Sequence, residues 1–398
     1  MESSEPIVDA GRVREIAEAV RRAGAFCLDL EFVSESRYVP ELCLVQLAWG
    51  DPSSPELASI DPLGTDPRPV LEAVADPEVE TIFHAAQADL ALLGQRFGLA
   101  GQGVYDSQIA AAFLGLGDQI GYASLISSLL GVALDKGAQF TDWARRPLSA
   151  EQLRYALDDV RYLAAAWPEL RSRLESAGRL SWVEEETERL AATAATRTPP
   201  EEMYRRVKSW NRLRGRALGS LQALAAWRER LALEENRPPS WILQDRSMIE
   251  IARRAPEGER ELAAIRGVKS GTVHRHGREI LEAVREGRRS EPPAEPRGRP
   301  LPDRARSWGV LLAGLVTACC KEAGVAPRFV ATRDEVEALV RWWVETDRFE
   351  EPPLPVLSGW RRELAGEALL GWLQGETSIA IDEGSDAGIR LAPGAEGC

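Results

Sequence analysis

The sequence predicts an α/β domain followed by two all-helical modules. Short apolar runs alternate with helical patterns up to about residue 190, whereas the chain from residue 200 onward shows helical patterns and no convincing strand. A polar, proline-rich stretch at 291–303 is typical of a semi-rigid extended linker between modules. With 398 residues, the chain is long enough for two or three domains of roughly 100 to 200 residues each.

These observations divide the chain into five segments. The last segment is rich in Gly, Asp and Glu and has little to bury, so we expect it to be a flexible tail. The predicted bounds are 1–195 for the α/β domain, 205–290 for the first helical module, 291–303 for the linker, 304–375 for the second helical module and 376–398 for the tail.

Strands and helices of the first domain follow from apolar spacing. Three apolar runs predict strands at Ala25–Phe32, Leu42–Trp49 and Thr81–His84. Helical spacing follows the third strand and resumes after Ser149. Ser149 as N-cap and Gln152 three residues later form a capping box, which predicts a helix start at this point.

Charge is unevenly distributed along the chain. The net charge is −13, yet residues 205–290 carry 20 basic against 11 acidic residues, a net of +9. Only four of the 49 basic residues are lysine, and the planar arginine fork suits phosphate binding and base stacking. Solvation of a helix face is the favoured interpretation of any single arginine. For the whole of 205–290, which we call the basic region, we favour an anionic partner.

Several classes of protein are excluded by composition. The five cysteines are odd in number and lack C-x-x-C spacing, so we expect no zinc site and no disulfide framework, and a reducing cytoplasm fits best. The N-terminus lacks a secretory signal, and no apolar stretch reaches the roughly 18 residues that span a bilayer. The chain has no Gly-Lys dipeptide, hence no Walker A loop, and we expect no nucleoside triphosphate.

Two acidic residues share one face of the first predicted strand. Asp29 and Glu31 alternate with apolar residues, so both project from the face opposite Leu28 and Leu30. Neighbouring carboxylates resist ionisation unless a cation lies between them. From this strand alone, a solvent-facing acidic side of an edge strand is the commoner explanation.

Two later elements carry further candidate residues. The helical neighbours of Asp89 at three and four residues are apolar, so its carboxylate lies on or beside a buried stripe and needs a partner. Tyr155 and Asp159, four residues apart on one helix face, can reach a common point. In isolation, such a pair is more often an ordinary surface pair than a catalytic one.

Four acids on three elements are enough to hold two hard divalent ions. Such ions prefer carboxylate oxygens, and a pair of them can activate water on one side of a phosphorus while stabilising the leaving oxygen on the other. A phenol such as Tyr155 could position the attacking water. That the three elements converge is implied by a resemblance rather than by spacing.

The ordered motifs resemble the tyrosine-bearing subgroup of the DEDD exonuclease superfamily, and most closely the bacterial ribonuclease D family. The residue at the position that carries histidine in the other subgroup is Arg154. The resemblance covers about residues 8 to 190. It rests on Asp29–Val33, Tyr38–Leu47, His84–Asp89, Asp106–Gln108, Asp142–Trp143 and Tyr155–Leu163.

The basic region is similar to the HRDC module, a helicase and ribonuclease D C-terminal domain that binds nucleic acid. Residues 304–375 look like a second, more divergent HRDC-like module, for which Gly359–Leu364 fits the closing segment. The first module resembles HRDC at Leu221–Arg230, Pro239–Asp245 and Ile265–Gly267.

The resemblance implies a ribonuclease H-like fold with a mixed sheet. It implies that Asp29, Glu31, Asp89 and Asp159 bind two Mg²⁺ or Mn²⁺ ions and that Tyr155 orients the hydrolytic water. The implied activity is removal of nucleotides from RNA 3′ ends as 5′-monophosphates, with tRNA precursors and other small structured RNAs as substrates. A DNA exonuclease with the same site, or an RNA-binding scaffold without turnover, remain the alternatives.

Five further residues are candidates for RNA contact. Phe32 and Tyr38 could stack on terminal bases, although core packing is the safer interpretation of Phe32. Lys136 could contact a phosphate and is nearly as readily a plain surface lysine. In the basic region, Arg275 and Arg278 flank His274 and His276, and phosphate contact is expected there without a metal.

Overall fold

The computed structural model describes residues 5–134, 141–293 and 301–394. Within these ranges a mixed five-stranded sheet forms, in the order β3-β2-β1-β4-β5. β1 pairs antiparallel with β2, and β2 with β3, whereas β1–β4 and β4–β5 are parallel. The strands are Ala25–Val33 (β1), Glu41–Trp49 (β2), Glu56–Ile60 (β3), Glu80–Phe83 (β4) and Val104–Asp106 (β5).

Helices cover both faces of this sheet. Side chains of β1 alternate between the two faces. Phe26 and Leu28 pack in the core that α1 covers, whereas Cys27, between them, packs on the opposite face with α6. The capping box of Ser149 and Gln152 is present at the start of α6. The helices are Ala10–Ala23 (α1), Arg68–Leu71 (α2), Gln87–Leu92 (α3), Ser107–Phe113 (α4), Tyr122–Leu130 (α5), Ala150–Ser176 (α6) and Leu180–Ala195 (α7).

The predicted α/β class is therefore confirmed, and the three predicted strands match β1, β2 and β4 to within one residue at every end. The prediction missed β3 and β5. Both are short, and β5 has three residues, too few for an alternation to stand out from its surroundings.

The basic region folds as a helical module around its own core, which includes Leu221, Met248 and Ile280. Its two long helices, α8 and α12, cross at Gly219 and Gly287, where a Cβ on Gly219 would overlap the carbonyl oxygen of Gly287. Glycine is therefore required for this approach. The helices are Gly215–Glu234 (α8), Pro239–Ile242 (α9), Asp245–Arg254 (α10), Glu259–Ala263 (α11) and Ser270–Arg289 (α12).

The C-terminal helices do not form an independent core. Phe329 stacks on Phe113 with ring centroids 5.0 Å apart, and Trp360 stacks on Trp182 at 4.7 Å. Since Phe113 and Trp182 belong to α4 and α7, this region shares one core with the α/β domain. Its helices are Asp303–Ala323 (α13), Pro327–Val330 (α14), Arg333–Glu345 (α15), Gly359–Arg361 (α16) and Glu367–Gln374 (α17), with a π-helical turn at Arg362–Gly366 between the last two.

The expectation of a flexible tail from residue 376, and of no strand after residue 200, is wrong. Strands Thr377–Ile381 (β6) and Ile389–Pro393 (β7) form an antiparallel hairpin. The backbone N–H of Ala387 donates to Glu322 of α13 at 2.8 Å, and Ile389 packs against the shared core. This partner surface on α13 stabilises the hairpin and could not be recognised from the composition of the segment.

Among the described helices, none combines the length and apolarity that crossing a bilayer requires.

A buried ion pair joins the C-terminal helices to the α/β domain. Arg361 and Glu186 are 7% and 1% exposed, and their charged groups are in direct contact. We expect Arg361→Met to lower the free energy of unfolding by about 3–5 kcal/mol, because it removes the buried cation that faces Glu186 and leaves that carboxylate only Arg189, a guanidinium that is 65% exposed. Chemical denaturation followed by tryptophan fluorescence measures the change, since the Trp182–Trp360 stack lies at this junction.

The matched control is Arg12→Met. Arg12 pairs with Glu15 at 2.8 Å, but both side chains are more than half exposed, 58% and 66%. Such surface pairs contribute about 0–1 kcal/mol. An equal effect of the two substitutions would show that the buried pair does not hold the junction together.

Candidate active site

Asp29 and Glu31 lie in the middle of the sheet rather than at its edge. β1 is flanked by β2 on one side and β4 on the other, so the alternative of a solvent-facing edge strand is wrong. Both side chains project from the face that α6 covers, and both are half-buried. The two carboxylates thus enter a space between sheet and helix.

Asp89 reaches this space because another acid anchors the start of α3. The Asp106 carboxylate accepts hydrogen bonds from the backbone N–H groups of Ala85, Ala86 and Gln108, at 2.9, 2.9 and 2.8 Å. Ala85 has a φ of 59°, a conformation uncommon for a residue with a side chain, and these bonds hold it there. Asp106 therefore sets where α3 begins, and Asp89, 8% exposed, follows in its first turn.

Tyr155 and Asp159 come from the first turns of α6. The Tyr155 hydroxyl hydrogen-bonds the Asp159 carboxylate, and the Tyr155 ring lies 6.4 Å from that of Trp143. Arg146 ties the preceding segment to the sheet, since its guanidinium bonds both oxygens of Asp61, at 2.6 and 2.7 Å. The same guanidinium donates to the carbonyl of Cys43 at 2.6 Å.

Three of the four predicted acids meet. Among the described residues, Asp29, Glu31 and Asp159 each offer a carboxylate oxygen, and these oxygens all lie within 4.8 Å of one another. Asp89 is outside that group, but it is close enough to Asp29 for the charge of Asp29 to raise its pKa. The spacing of residues in the sequence could not show that the three elements converge. In the structure, β1 and α6 bring their acids together, and α3 lies alongside.

The pKa values of all four acids are raised. Burial, opposed by a backbone hydrogen bond, raises the pKa of Asp29 to about 6. Burial and then the charges of the neighbouring acids raise the pKa of Glu31 to about 9 and of Asp159 to about 8, and that of Asp89 well above its usual value. A divalent cation offsets such repulsion, and hard oxygen donors are the ligands it prefers, so Asp29, Glu31 and Asp159, with Asp89 beside them, fit a divalent metal site.

Sequence reasoning missed Tyr122, which buttresses the site from α5. Its hydroxyl donates to the backbone carbonyl of Asp158 at 3.0 Å, next to Asp159 in the chain. Its ring packs edge-on against His84, with ring centroids 5.4 Å apart. His84 is itself held by Ser107 at 2.9 Å, which agrees with a structural role. In the sequence, the position of Tyr122 between the motifs Asp106–Gln108 and Asp142–Trp143 is the one signal that could have suggested a role at the site.

The predicted aromatic contacts have partners inside the protein. The Tyr38 hydroxyl donates to Glu229 of α8, and the Asn236 side-chain oxygen accepts from the N–H groups of Tyr38 and Val39 at 3.1 and 2.9 Å. The structure therefore places Tyr38 in a contact between the α/β domain and the helical module, and its stacking on a terminal base stays a prediction. Phe32 packs partly against the sheet core, the alternative we favoured.

The predicted contacts of the basic region lie at its surface. Arg275 and Arg278 are both exposed on α12. His276, between them, is held by Trp227 of α8, with ring centroids 5.8 Å apart. Arg228, by contrast, is buried and pairs with Asp245 at 2.7 Å, so one arginine of this region is structural. Lys136 lies outside the described residues, and its phosphate contact stays a prediction.

Two family models match the chain. The model described as 3′-5′ exonuclease matches residues 5–175, which include every residue of the candidate site. The model of the HRDC domain matches residues 217–284, within the basic region.

Curated relatives match almost the whole chain. A ribonuclease D from Gluconacetobacter diazotrophicus is 40% identical over 373 residues, and one from Granulibacter bethesdensis is 39% identical over 374; each match covers 92% of both chains. The crystal structure of Escherichia coli RNase D, described as an exoribonuclease involved in structured RNA processing, superposes with a TM-score of 0.81 at 31% identity. That match covers 93% of this chain and 98% of the other.

The raised pKa values predict that metal binding releases protons. With pKa values of about 9 and about 8, Glu31 and Asp159 hold protons at pH 7, whereas a bound divalent cation requires them ionised. Affinity should therefore rise with pH from about 6 to 9. Calorimetric titration of Mg²⁺ at pH 7, in two buffers of different ionisation enthalpy, measures the number of protons released.

Asp159→Asn is the comparison variant, because its amide cannot release a proton. It should release fewer protons than the unmodified chain and bind more weakly. Tight Mg²⁺ binding by the unmodified chain without proton release would contradict the raised pKa values.

Proposed function

Because this chain belongs to the ribonuclease D family and is a 3′→5′ exoribonuclease, we propose that it shortens the 3′ ends of tRNA precursors and other small structured RNAs. The observation that carries the proposal is the meeting of Asp29, Glu31 and Asp159 within 4.8 Å, inside the segment that matches the exonuclease model. The involvement of the Escherichia coli relative in structured RNA processing supports the substrate class.

The family uses divalent metal, and we propose two ions, Mg²⁺ or Mn²⁺, held by Asp29, Glu31, Asp89 and Asp159. When bound, such ions activate water and neutralise the charge that develops on the phosphate. The raised pKa of each acid supports this assignment, because carboxyl groups that hold protons near neutral pH can release them when a cation binds.

Tyr155 orients the attacking water in this proposal and does not act as a base. Burial, the charge of Asp159 and other acids raise its pKa, so the phenol stays protonated at neutral pH. A protonated phenol held by Asp159 keeps a fixed oxygen beside the acids. Water then attacks the terminal phosphodiester; the new bond joins water oxygen to phosphorus, and the bond from phosphorus to the 3′ oxygen breaks. The attacking water gives up a proton to the solvent, and the leaving 3′ oxygen takes one up to become a hydroxyl. The released nucleotide carries the phosphate on its 5′ oxygen.

The helical modules supply RNA binding in this proposal. The HRDC match and the exposed Arg275 and Arg278 support phosphate contact by the basic region. We assign residues 304–375 as the second, divergent HRDC-like module, although they share a core with the α/β domain. We also propose a cytoplasmic location, which the free thiols of the described cysteines support.

End-labelled tRNA precursor with a 3′ extension tests the activity. With Mg²⁺ or Mn²⁺, the chain should shorten it stepwise and release 5′-monophosphates, and EDTA should stop the reaction. We expect Asp159→Asn to slow hydrolysis by at least about a hundredfold while RNA binding persists, because it removes one of the carboxylates proposed to hold the divalent ions beside the reacting phosphate. Product analysis on sequencing gels and filter binding measure the two effects.

The control variant is Asp158→Asn, the same chemical change one residue away, on a side chain that lies 3.6 Å from Arg161 and outside the acid group. It should retain most of the activity. Matched single-stranded DNA tests the sugar preference, since the 2′-hydroxyl distinguishes RNA. Equal rates on the RNA and on the single-stranded DNA would favour a general nuclease. Unimpaired hydrolysis by Asp159→Asn would reject the proposed active site.

The role of the basic region is tested by the double substitution of Arg275 and Arg278 by alanine. Each phosphate contact adds about 0.7–0.9 to the slope of log affinity against log salt concentration, so the slope should fall by up to about 2. Electrophoretic mobility shifts with the catalytically slow Asp159→Asn background measure affinity without degradation.

The matched control replaces Arg14 and Arg22 of α1, which are exposed on the α/β domain, by alanine. The formal charge change is the same, so a general electrostatic effect would alter both slopes. An unchanged slope for the Arg275/Arg278 variant would remove phosphate binding from this face of α12.

A further inference from the structure

Three polar residues form a row across the sheet beneath α6. Asp29 of β1 is the register partner of Gln46 of β2, and Gln46 is in turn the register partner of Ser59 of β3. Residues directly opposite each other in antiparallel strands project to the same face, with Cβ atoms about 4.5–5.5 Å apart. The row Asp29–Gln46–Ser59 therefore lies on the face that carries the candidate site.

Gln46 is the unusual member of this row. It is 0% exposed, and neither its side-chain Oε1 nor its Nε2 has a hydrogen-bond partner among the described residues. Burying an amide without partners opposes folding, and native structures leave few such groups. An apolar residue of the same size would avoid that cost. The presence of an amide therefore indicates a function for it beyond packing.

The surroundings of Gln46 leave few partners within reach. Along the same strand face, Leu44 packs with Leu153 in one apolar cluster, and Ala48 packs with Val160 in another. Helix α6 crosses β1, β2 and β3 above these residues. Gln46 is thus enclosed by apolar groups above and along the strand, and its polar neighbours in register stand on either side.

The chemistry of the row is complementary. An ionised carboxylate such as that of Asp29 only accepts hydrogen bonds, an amide offers both a donor and an acceptor, and the Ser59 hydroxyl can donate. Ser59 donating to Gln46 Oε1 and Gln46 Nε2 donating to Asp29 would satisfy both amide atoms. The second bond is strongest when Asp29 is ionised, the state that a divalent cation requires.

We propose that Gln46 is a positioning residue for the metal site, orienting the Asp29 carboxylate through its Nε2 and being oriented in turn by Ser59. The inference rests on the proposed function, because it assumes that Asp29 binds metal. Gln46 touches neither the ion nor the RNA. Partners of this kind, which hold a ligand from behind, commonly change metal affinity by about 10- to 100-fold.

Titration of Mn²⁺ alone into the metal-free full chain, followed by calorimetry, tests the proposal without any turnover. Gln46→Met keeps the length and shape of the side chain and removes its polar atoms. We expect it to weaken Mn²⁺ binding by about tenfold or more. In EDTA its thermal unfolding midpoint should be unchanged or higher, because the variant no longer buries an unpaired amide.

Thr81→Val is the matched control. Thr81 is also 0% exposed, and its hydroxyl also lacks a partner among the described residues. It lies on the opposite face of the sheet, since its register partner Phe26 packs in the core that α1 covers. Removing its hydroxyl should leave Mn²⁺ affinity unchanged, so a loss in both variants would overturn the proposal.

Wild-type Mn²⁺ affinity in Gln46→Met would also overturn the proposal. If the unfolding midpoint in EDTA fell at the same time, the amide would have a purely structural partner. If Gln46→Met does not fold, Ser59→Ala decides: a severalfold loss of affinity supports the row, and none rejects it. Asp29→Asn separates the two proposals. Lost binding there with intact binding in Gln46→Met rejects only the role of Gln46, whereas unchanged binding in Asp29→Asn rejects the metal site itself.

Discussion

The structure depends on holding mutually repelling carboxyl groups together away from water. Asp29, Glu31 and Asp159 converge although both burial and mutual repulsion oppose their ionisation. The fold enforces their approach through rigid elements: β1 is central in the sheet, α6 is fixed by its capping box, and Asp106 anchors α3. Without a cation the crowded carboxyl groups hold protons, and a divalent cation would take the place of those protons, so the same geometry that disfavours ionisation suits a metal.

The helical regions are joined to the catalytic domain in two different ways. The C-terminal helices merge with it, since Phe329 and Trp360 stack on Phe113 and Trp182 in a shared apolar core. The basic region keeps its own core and reaches the catalytic domain at the loop after β1, where Asn236 holds the backbone. The module that we propose to bind RNA thus contacts the loop next to the acid-bearing strand.

Charge separates the two tasks of the protein. Hydrolysis uses a concentration of acids that repels the RNA backbone, whereas the basic region carries a net charge of +9 over residues 205–290, with 20 basic and 11 acidic residues. In the proposed function, long-range attraction by arginine and local neutralisation of the acids by metal are therefore complementary. The overall charge of −13 hides this division, which only the distribution along the chain reveals.

The sequence by itself determined the α/β class, the strands β1, β2 and β4, the start of α6, and the candidate acids, because alternation and capping depend on residues only a few positions apart. Only the tertiary structure decided that β1 is central, that Tyr38 contacts Glu229, that the last segment forms a hairpin on α13, and that Gln46 lies beside Asp29. These features join residues far apart in the chain, where the register of strands and the packing of helices decide which side chains meet, and local periodicity carries no information about either.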